Sequence, residues 1–417
     1  MLMADFFYID ELAGECITHQ KLLEDIQLSL DYNPYCISKD YYTVFRTIVL
    51  SLVLGEEIIL LDEDFSEEEL VRLTGLKDFK SANKIVNPKL LEGISNLNDL
   101  FRCINQPSIN WRVTLFTSGT TGVPKKLTHS FSSITRSVKQ SDKHAESIWG
   151  FAYNPTHMAG IQVFFQALLN HNCIVRLFRF DREMIFNQII ENCVTHISAT
   201  PTFYRLLLPA DRICSSVIRL TSGGERFDGK TLMLLTKMFP NAKITNVYAS
   251  TEAGAVFAST GNDFVIKKQY LSLVKIENNE LFLHKSLVGK SDYLKDHEEI
   301  WYATGDLVEI LTENPLTIQF LNRKNETINV GGYKVNPGEV EEAMQAIEGI
   351  REVRVFAKKN SLLGSIVMAE VVRLNETMSE ANIRAILQNR LQEFKIPRII
   401  RFVDSLKVTR TGKIQRN

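Results

Sequence analysis

The chain of 417 residues balances 48 Lys and Arg against 49 Asp and Glu, and 45% of it is hydrophobic. Such a composition supports more than one globular core, and a net charge of −1 excludes a field that would gather nucleic acid or anionic membrane. The six cysteines, Cys16, Cys36, Cys103, Cys173, Cys193 and Cys214, form no CxxC pair and read as reduced thiols of a cytoplasmic protein. The opening MLMADFFYIDELAGE lacks the basic start of a signal peptide, and the apolar run Ile48–Leu54 is too short for a bilayer, so no membrane insertion is expected.

In chain order, Val44–Leu54 predicts a buried helix and Glu57–Leu61 a buried strand. Ser66 followed by Glu69 has the spacing of a capping box that opens a helix. Val113–Phe116 predicts a strand that runs into a loop of small residues. A helix at Ser132–Lys143, a strand at Ile148–Tyr153, a helix at Ala159–Leu169 and a strand at Cys173–Phe178 follow. Alternation of helices with short apolar strands means α/β layers around a largely parallel sheet.

From about Lys267 short strands succeed one another: Ser272–Ile276, Glu280–His284, Asp306–Leu311 and Thr317–Leu321. They predict a small antiparallel sheet or barrel. Beyond Arg323-Lys324-Asn325 the pattern changes again, to a helix at Pro337–Ile347, strands at Val353–Ala357 and Ile366–Val372, and a helix at Glu380–Gln392. The expected fold is α/β. A large domain, residues 1–324, combines layered α/β subdomains with a small barrel. A small mobile α+β domain, residues 325–417, follows.

The most informative stretch is FTSGTTGVPKK, residues 116–126. Thr117, Ser118, Gly119, Thr120 and Thr121 let backbone N–H groups and hydroxyls close around an oxyanion, and Lys125 adds charge. The spacing is not that of a Walker A loop. Alone, such a loop reads as a polar turn after a strand.

This stretch resembles the signature of the ANL adenylating superfamily, which includes acyl- and aryl-CoA synthetases, adenylation domains and luciferases. Further segments resembling that family follow in order. Asn154-Pro155-Thr156-His157 is similar to a Pro-x-x-His segment beside the acid pocket. Thr221-Ser222-Gly223-Gly224-Glu225 is similar to a turn beside adenine. Tyr248-Ala249-Ser250-Thr251-Glu252 resembles YGxTE, and Tyr302-Ala303-Thr304-Gly305-Asp306 resembles YxTGD. Asn322-Arg323 with Gly332-Tyr333-Lys334-Val335 resembles the hinge region, and Thr411-Gly412-Lys413-Ile414 a C-terminal lysine motif. The resemblance runs from Phe116 to Arg416, and the first 115 residues carry none of these motifs. Within the family the layout is most similar to small aryl-acid ligases of the o-succinylbenzoate–CoA ligase type.

The resemblance implies activation of a carboxylic acid by ATP and Mg2+ as an acyl-AMP, then transfer to a thiol, either coenzyme A or phosphopantetheine on a carrier protein. It implies that residues 117–125 hold the leaving phosphates, that Thr251 touches the α-phosphate and that Glu252 carries magnesium. Asp306 and Arg323 would bind ribose, Tyr248 would offer adenine a flat face, and Gly332 would border the thiol channel. Lys413, which alone reads as part of a solvated basic tail, becomes the lysine that reaches the α-phosphate. His157, Met158, Gly160, Ser222 and Ala249 would line the acid pocket.

NPTHMAGIQ lacks the acid that would pair with an α-ammonium, so the expected substrate is an aryl or short acyl acid without an α-amine. Departures from the family pattern occur at Lys126, Ala249, Asn322, Asn325 and Asn329, the last two bearing on thiol transfer. Two other readings stay open: a ligase that loads a carrier protein, and a non-catalytic nucleotide-binding relative. A homodimer is compatible with each.

Overall fold

The computed structural model describes residues 3–117, 125–224, 228–291, 300–330, 333–360, 364–374, 376 and 378–407. Ser118, Gly119, Thr120, Thr121, Glu225, Gly332 and Lys413 therefore lie outside the described residues, as does the side chain of Thr117.

The largest sheet has eight strands. Its parallel centre runs, in spatial order, Lys243–Ser250, Arg219–Gly223, His196–Ala199, Ile148–Phe151, Cys173–Arg176 and Phe6–Asp10. Antiparallel strands Gly254–Ser259 and Glu15–Thr18 close its two edges. The connecting helices include Met158–Leu168, Arg182–Glu191 and Gly229–Met238. Met158–Leu168 is apolar nearly all round because both its faces are packed.

A second sheet aligns Tyr35–Ile37, Ile58–Leu61, Arg112–Thr117 and Lys125–Ser130. It rests on the helix Tyr41–Leu54, which Asp40 caps and which Gly55, at φ 69°, ends in the left-handed conformation. One core joins these layers: Phe45 stacks on Phe164 at 4.7 Å, and the buried Trp111 indole donates to Ser51 Oγ at 3.0 Å. The capping box at Ser66 and Glu69 forms as read, with both reciprocal hydrogen bonds present.

The helix expected over Ser132–Lys143 is not formed. Only Phe131–Ile134 is helical, with a 3-10 turn at Asp142–His144. Serines and β-branched residues make weak helix there, and Arg136 is drawn instead to carbonyls 117 and 151 residues away.

A five-stranded antiparallel sheet follows, in the order Asp263–Val265, Leu316–Arg323, Trp301–Glu313, Glu280–His284, Val274–Glu277. The segment read as Asp306–Leu311 is the middle of its longest strand. The last segment packs helices Pro337–Gln345 and Glu380–Gln388 on a sheet built around Ile350–Asn360 and Gly364–Arg373. Its apolar cluster draws every member from residues 328–400. Lys230 reaches it from the main body, donating to the carbonyls of Gln345 at 3.1 Å and Ile350 at 3.3 Å, so a cation sits at the C-terminal end of a helix.

Candidate active site

An open cleft of about 1850 Å³ runs over the large sheet, past the carboxyl ends of its parallel strands, to the antiparallel sheet. Asp62, His157, Tyr248, Glu252, Asp306 and Arg323 all line it. Strands Arg112–Thr117 and Lys125–Ser130 pair antiparallel with Thr117 opposite Lys125, so the two ends of the Gly/Ser/Thr loop meet at the cleft.

At one end, antiparallel pairing sets Asp306 directly across from Arg323. The Arg323 Nε donates to Asp306 Oδ1 at 3.0 Å, and the Tyr248 hydroxyl donates to Oδ2 at 2.6 Å. Burial, followed by the Asp306 carboxylate, pushes the Tyr248 phenol well above its usual range, so it keeps the proton it donates. Each carboxylate oxygen retains a further lone pair for a ligand hydroxyl. Gly305, at φ 74°, makes the left-handed turn before Asp306, and its N–H donates to the buried Glu280 carboxylate at 3.2 Å. The other Glu280 oxygen accepts from Lys324 at 2.8 Å. Tyr248 stacks on Phe320 at 4.2 Å, with Phe257 nearly parallel at 5.7 Å. A phenylalanine therefore already covers one face of the ring that was read as a platform for adenine.

The turn that carries Thr251 and Glu252 is held through three consecutive backbone carbonyls. His129 Nε2 donates to the Thr251 carbonyl at 3.0 Å, the Gly289 N–H to that of Glu252 at 2.7 Å, and the Arg136 guanidinium to that of Ala253. A carbonyl only accepts, so His129 carries its proton on Nε2, while Nδ1 faces the Ser133 hydroxyl at 3.3 Å. Burial lowers the His129 pKa to about 4, outweighing the opposing pull of the Thr251 carbonyl, and the imidazole is neutral near pH 7. A Cβ at position 289 would overlap the His129 ring, which explains that glycine. Gly254, at φ 65°, lies against Gln162, whose Oε1 accepts from the Ala255 N–H at 3.1 Å. Sequence reading missed His129, Arg136 and Gly289. The available signal was a His three residues after the Lys125-Lys126 strand start and a Gly-Lys pair far downstream, neither distinctive by itself.

At the other end, Asn154 accepts from the Thr156 N–H at 2.9 Å and its hydroxyl at 2.8 Å, which folds the turn that delivers His157. A Cβ at Gly160 would overlap the Asn154 carbonyl oxygen, so Gly160 permits this turn to close on the helix instead of lining the pocket. Ser222 is also displaced from its expected role. Thr221 and Gly223 face the cleft, and strand alternation turns Ser222, fully buried, to the other side. Gly224, at φ 83°, turns the chain just past that strand.

His157 is the N-cap of Met158–Leu168, yet its side chain makes no capping bond. Its Nε2 lies 2.7 Å from Asp62 Oδ2. NPTHMAGIQ has no acid of its own, but the fold brings one from 95 residues away. Asp62 was not picked out from sequence, although an acid directly after the buried strand Ile58–Leu61 was the available sign.

Among the described residues no group of three or more His, Cys, Asp or Glu is arranged to hold a metal, and no helix is long and apolar enough to cross a membrane.

The chain is similar to known proteins over most of its length. The sequence model of the AMP-binding enzyme family matches residues 56–274, and that of the AMP-binding enzyme C-terminal domain matches residues 339–413. A 2-succinylbenzoate–CoA ligase of Staphylococcus aureus (strain bovine RF122 / ET3-1) is 26% identical over 411 residues, covering 91% of this chain and 81% of the relative. The fold is shared with o-succinylbenzoate CoA synthetase (MenE) of Bacillus subtilis in complex with the acyl-adenylate intermediate OSB-AMP. That structure has a TM-score of 0.71 and 18% identity, with 99% of this chain and 94% of that one covered. ATP-bound MatB of Rhodopseudomonas palustris gives a TM-score of 0.74 at 17% identity, with coverage of 99% and 94%. With its first family match alone spanning more than half of its length, this chain belongs to the AMP-binding enzyme family.

Proposed function

We propose that the protein activates a carboxylic acid without an α-amine as its acyl-AMP and passes the acyl group to the thiol of coenzyme A. The observation that carries this reading is one cleft lined by a ribose-type acceptor, Asp306 held by Arg323 and Tyr248, by the Thr251–Glu252 turn and by His157. The curated relatives named as succinylbenzoate–CoA ligases support it.

The chemistry follows from charge. A carboxylate is a poor electrophile, so its oxygen must attack the α-phosphorus of ATP in line with departing pyrophosphate, giving a mixed anhydride. Two anions meet in that step, and donors aimed at the phosphate oxygens lower its barrier. The 117–125 loop would hold the leaving phosphates, and Thr251, its carbonyl fixed by His129, would present its hydroxyl to the α-phosphate. Mg2+ fits a hard carboxylate oxygen of Glu252 together with nucleotide oxygens. There it would neutralise the phosphates' negative charge. Lys413 would stabilise the charge that develops between carboxylate and α-phosphate. In the second step the thiol sulfur attacks the acyl carbon and gives up its proton to solvent, the acyl–oxygen bond breaks and AMP leaves with the electron pair.

The buried Asp62 does not reopen an amino-acid substrate. Its carboxylate already accepts from His157, from Asn154 Nδ2 at 3.4 Å and from the Asp64 N–H at 3.3 Å. We further assign the protein to the cytoplasm, on its unpaired thiols.

The test is ATP–pyrophosphate exchange with benzoate, o-succinylbenzoate, short aliphatic acids and the proteinogenic amino acids, followed by thioester formation with coenzyme A and with phosphopantetheinylated carrier protein. Exchange with an aryl or short acyl acid and transfer to coenzyme A is the expected result. Exchange confined to an amino acid would overturn it.

A further inference from the structure

The functional reading uses His157 but leaves unexplained why a buried carboxylate is pressed against it. Asp62 is 4% exposed and stands at the carboxyl end of Ile58–Leu61 in the smaller sheet, whereas His157 follows Ile148–Phe151 in the larger one. Their contact spans the seam where the two sheets meet the cleft. Burying a carboxylate is costly unless several donors satisfy it, and here a ring N–H, an amide and a backbone N–H do so. The site is fixed from both sides. The Asp62 carbonyl accepts from the Phe65 N–H at 3.1 Å in a tight turn, and the Asn154 turn with Gly160 sets where His157 begins its helix.

The geometry also distinguishes the two ring nitrogens. A carboxylate at 2.7 Å accepts, so Nε2 must carry a proton. Nδ1 has no hydrogen-bond partner among the described residues, on a side chain that stays partly exposed in the cleft.

We propose that Asp62 is a positioning residue for acid recognition: it accepts from His157 Nε2–H and so anchors the ring, fixing where its cleft-facing edge stands beside the bound carboxylic acid. Asp62 acts through His157 and touches no substrate. This rests on the function proposed above. It goes further in naming a residue outside every recognised motif, and in dividing the cleft into a nucleotide end and an acid end that can be perturbed separately.

The experiment is a double-variant cycle read in ATP–pyrophosphate exchange with benzoate and o-succinylbenzoate as probe acids, using Asp62→Ala, His157→Ala and both together. Asp62→Ala is expected to raise the KM for the acid roughly tenfold or more, the scale for losing a charge-assisted hydrogen bond, and to leave the KM for ATP unchanged. In the His157→Ala background the same change should add nothing. Asp62→Asn, close in shape, serves if the alanine variant does not fold. It withdraws the charged carboxylate that accepts from Nε2–H and loosens the anchor on the ring, so it should also raise the acid KM. Equal rises in both KM values, or fully additive losses, would overturn the proposal. If the unaltered protein exchanges with no acid, it is the proposed function that fails. The dyad then stands or falls on the nitrogen-15 spectrum of the His157 ring, assigned by its loss in His157→Gln. A protonated Nε2 that becomes labile or unprotonated in Asp62→Ala supports the lock, and an unprotonated Nε2 in the unaltered protein refutes it.

Discussion

The two ends of the cleft are built by different means. At the nucleotide end the polar partners are neighbours through regular pairing: Asp306 and Arg323 face each other across one antiparallel ladder, and Tyr248 stacks on Phe320 from that ladder's second strand. At the acid end Asp62 and His157 follow strands of different sheets and meet across the seam between them. A site made by local pairing leaves a compact trace in sequence. A site made by topology leaves its residues scattered among ordinary ones.

The comparison predicts that perturbations at the nucleotide end fall mainly on the adenylation step, and the largest effect should come from Lys413, which lies outside the described residues and is proposed above to meet the charge of that step. Negative charge grows between the carboxylate, the α-phosphate and pyrophosphate, so a cation there favours the transition state over the ground state. Removing one such donor typically costs about 2.7–4 kcal/mol, roughly a hundred- to thousandfold in rate. Lys413→Ala should lose pyrophosphate exchange by that factor yet convert supplied acyl-AMP to thioester at near the parent rate. Full exchange by the variant would reduce Lys413 to a basic tail residue.

Next comes the turn between the two ends. His129→Ala leaves the Thr251 carbonyl without its donor, and an unsatisfied buried polar group costs about 1–3 kcal/mol. Because that carbonyl belongs to the residue assigned to the α-phosphate, part of the loss should appear as a fall in kcat of roughly tenfold. His129→Gln, whose amide nitrogen can stand where Nε2 stands, should recover much of it. A variant that melts earlier but turns over normally would make His129 a packing residue only.

A smaller, step-selective effect is expected at the segment junction. We place a hinge at Asn325, where the antiparallel sheet gives way to the last α+β segment and a 3-10 turn covers Lys324–Glu326. Proline there fixes one backbone dihedral. Asn325→Pro should slow thioester formation severalfold, on the order of 1 kcal/mol, with adenylation little changed. Equal losses in both steps would argue against a hinge. The Lys230 contacts to Gln345 and Ile350 offer a control, since they reach the last α+β segment away from Asn325.

Much of the architecture was legible because hydrophobic period and caps are local properties. The Ser66 capping box, the Pro337 helix start and the strand Glu280–His284 all form where the pattern put them. The failed helix over 132–143 shows the limit, for Arg136 is recruited by carbonyls of the Thr251–Ala253 turn and the Leu287 segment that no local window contains. The same limit hid Asp62, His129 and Gly289, whose significance lies in what they touch across 95, 122 and 37 residues respectively, the last being the span from Glu252 to Gly289. Ser222 was misplaced for a simpler reason. In a strand only alternate residues share a face, and a motif names all of them.

The smallest effect is a change in slope, and it isolates the turn from both ends of the cleft. Burial holds His129 near pKa 4 in the folded chain, below the ordinary 6.5 that the unfolded chain restores. Between those values the unfolded state binds a proton that the native state refuses, so stability must fall as pH is lowered from 6.5 towards 4. Above 6.5 neither state carries the proton, and near the low end both do, so the contribution of this residue levels off outside the window. Each such histidine contributes a slope of about 1.4 kcal/mol per pH unit at most. His19 and His196, also lowered to about 4 by burial, add slopes of the same sign, so the raw curve does not identify His129. The difference between the unaltered protein and His129→Gln does, because glutamine cannot titrate and the other groups cancel. Urea unfolding at pH 7, 6 and 5 should give curves for the two proteins that converge as pH falls, by about 1 kcal/mol per unit within the window. Parallel curves would mean that His129 takes up its proton in the folded state as readily as in the unfolded one. In that case neither its burial nor its neutral Nε2–H contact with the Thr251 carbonyl would persist in solution.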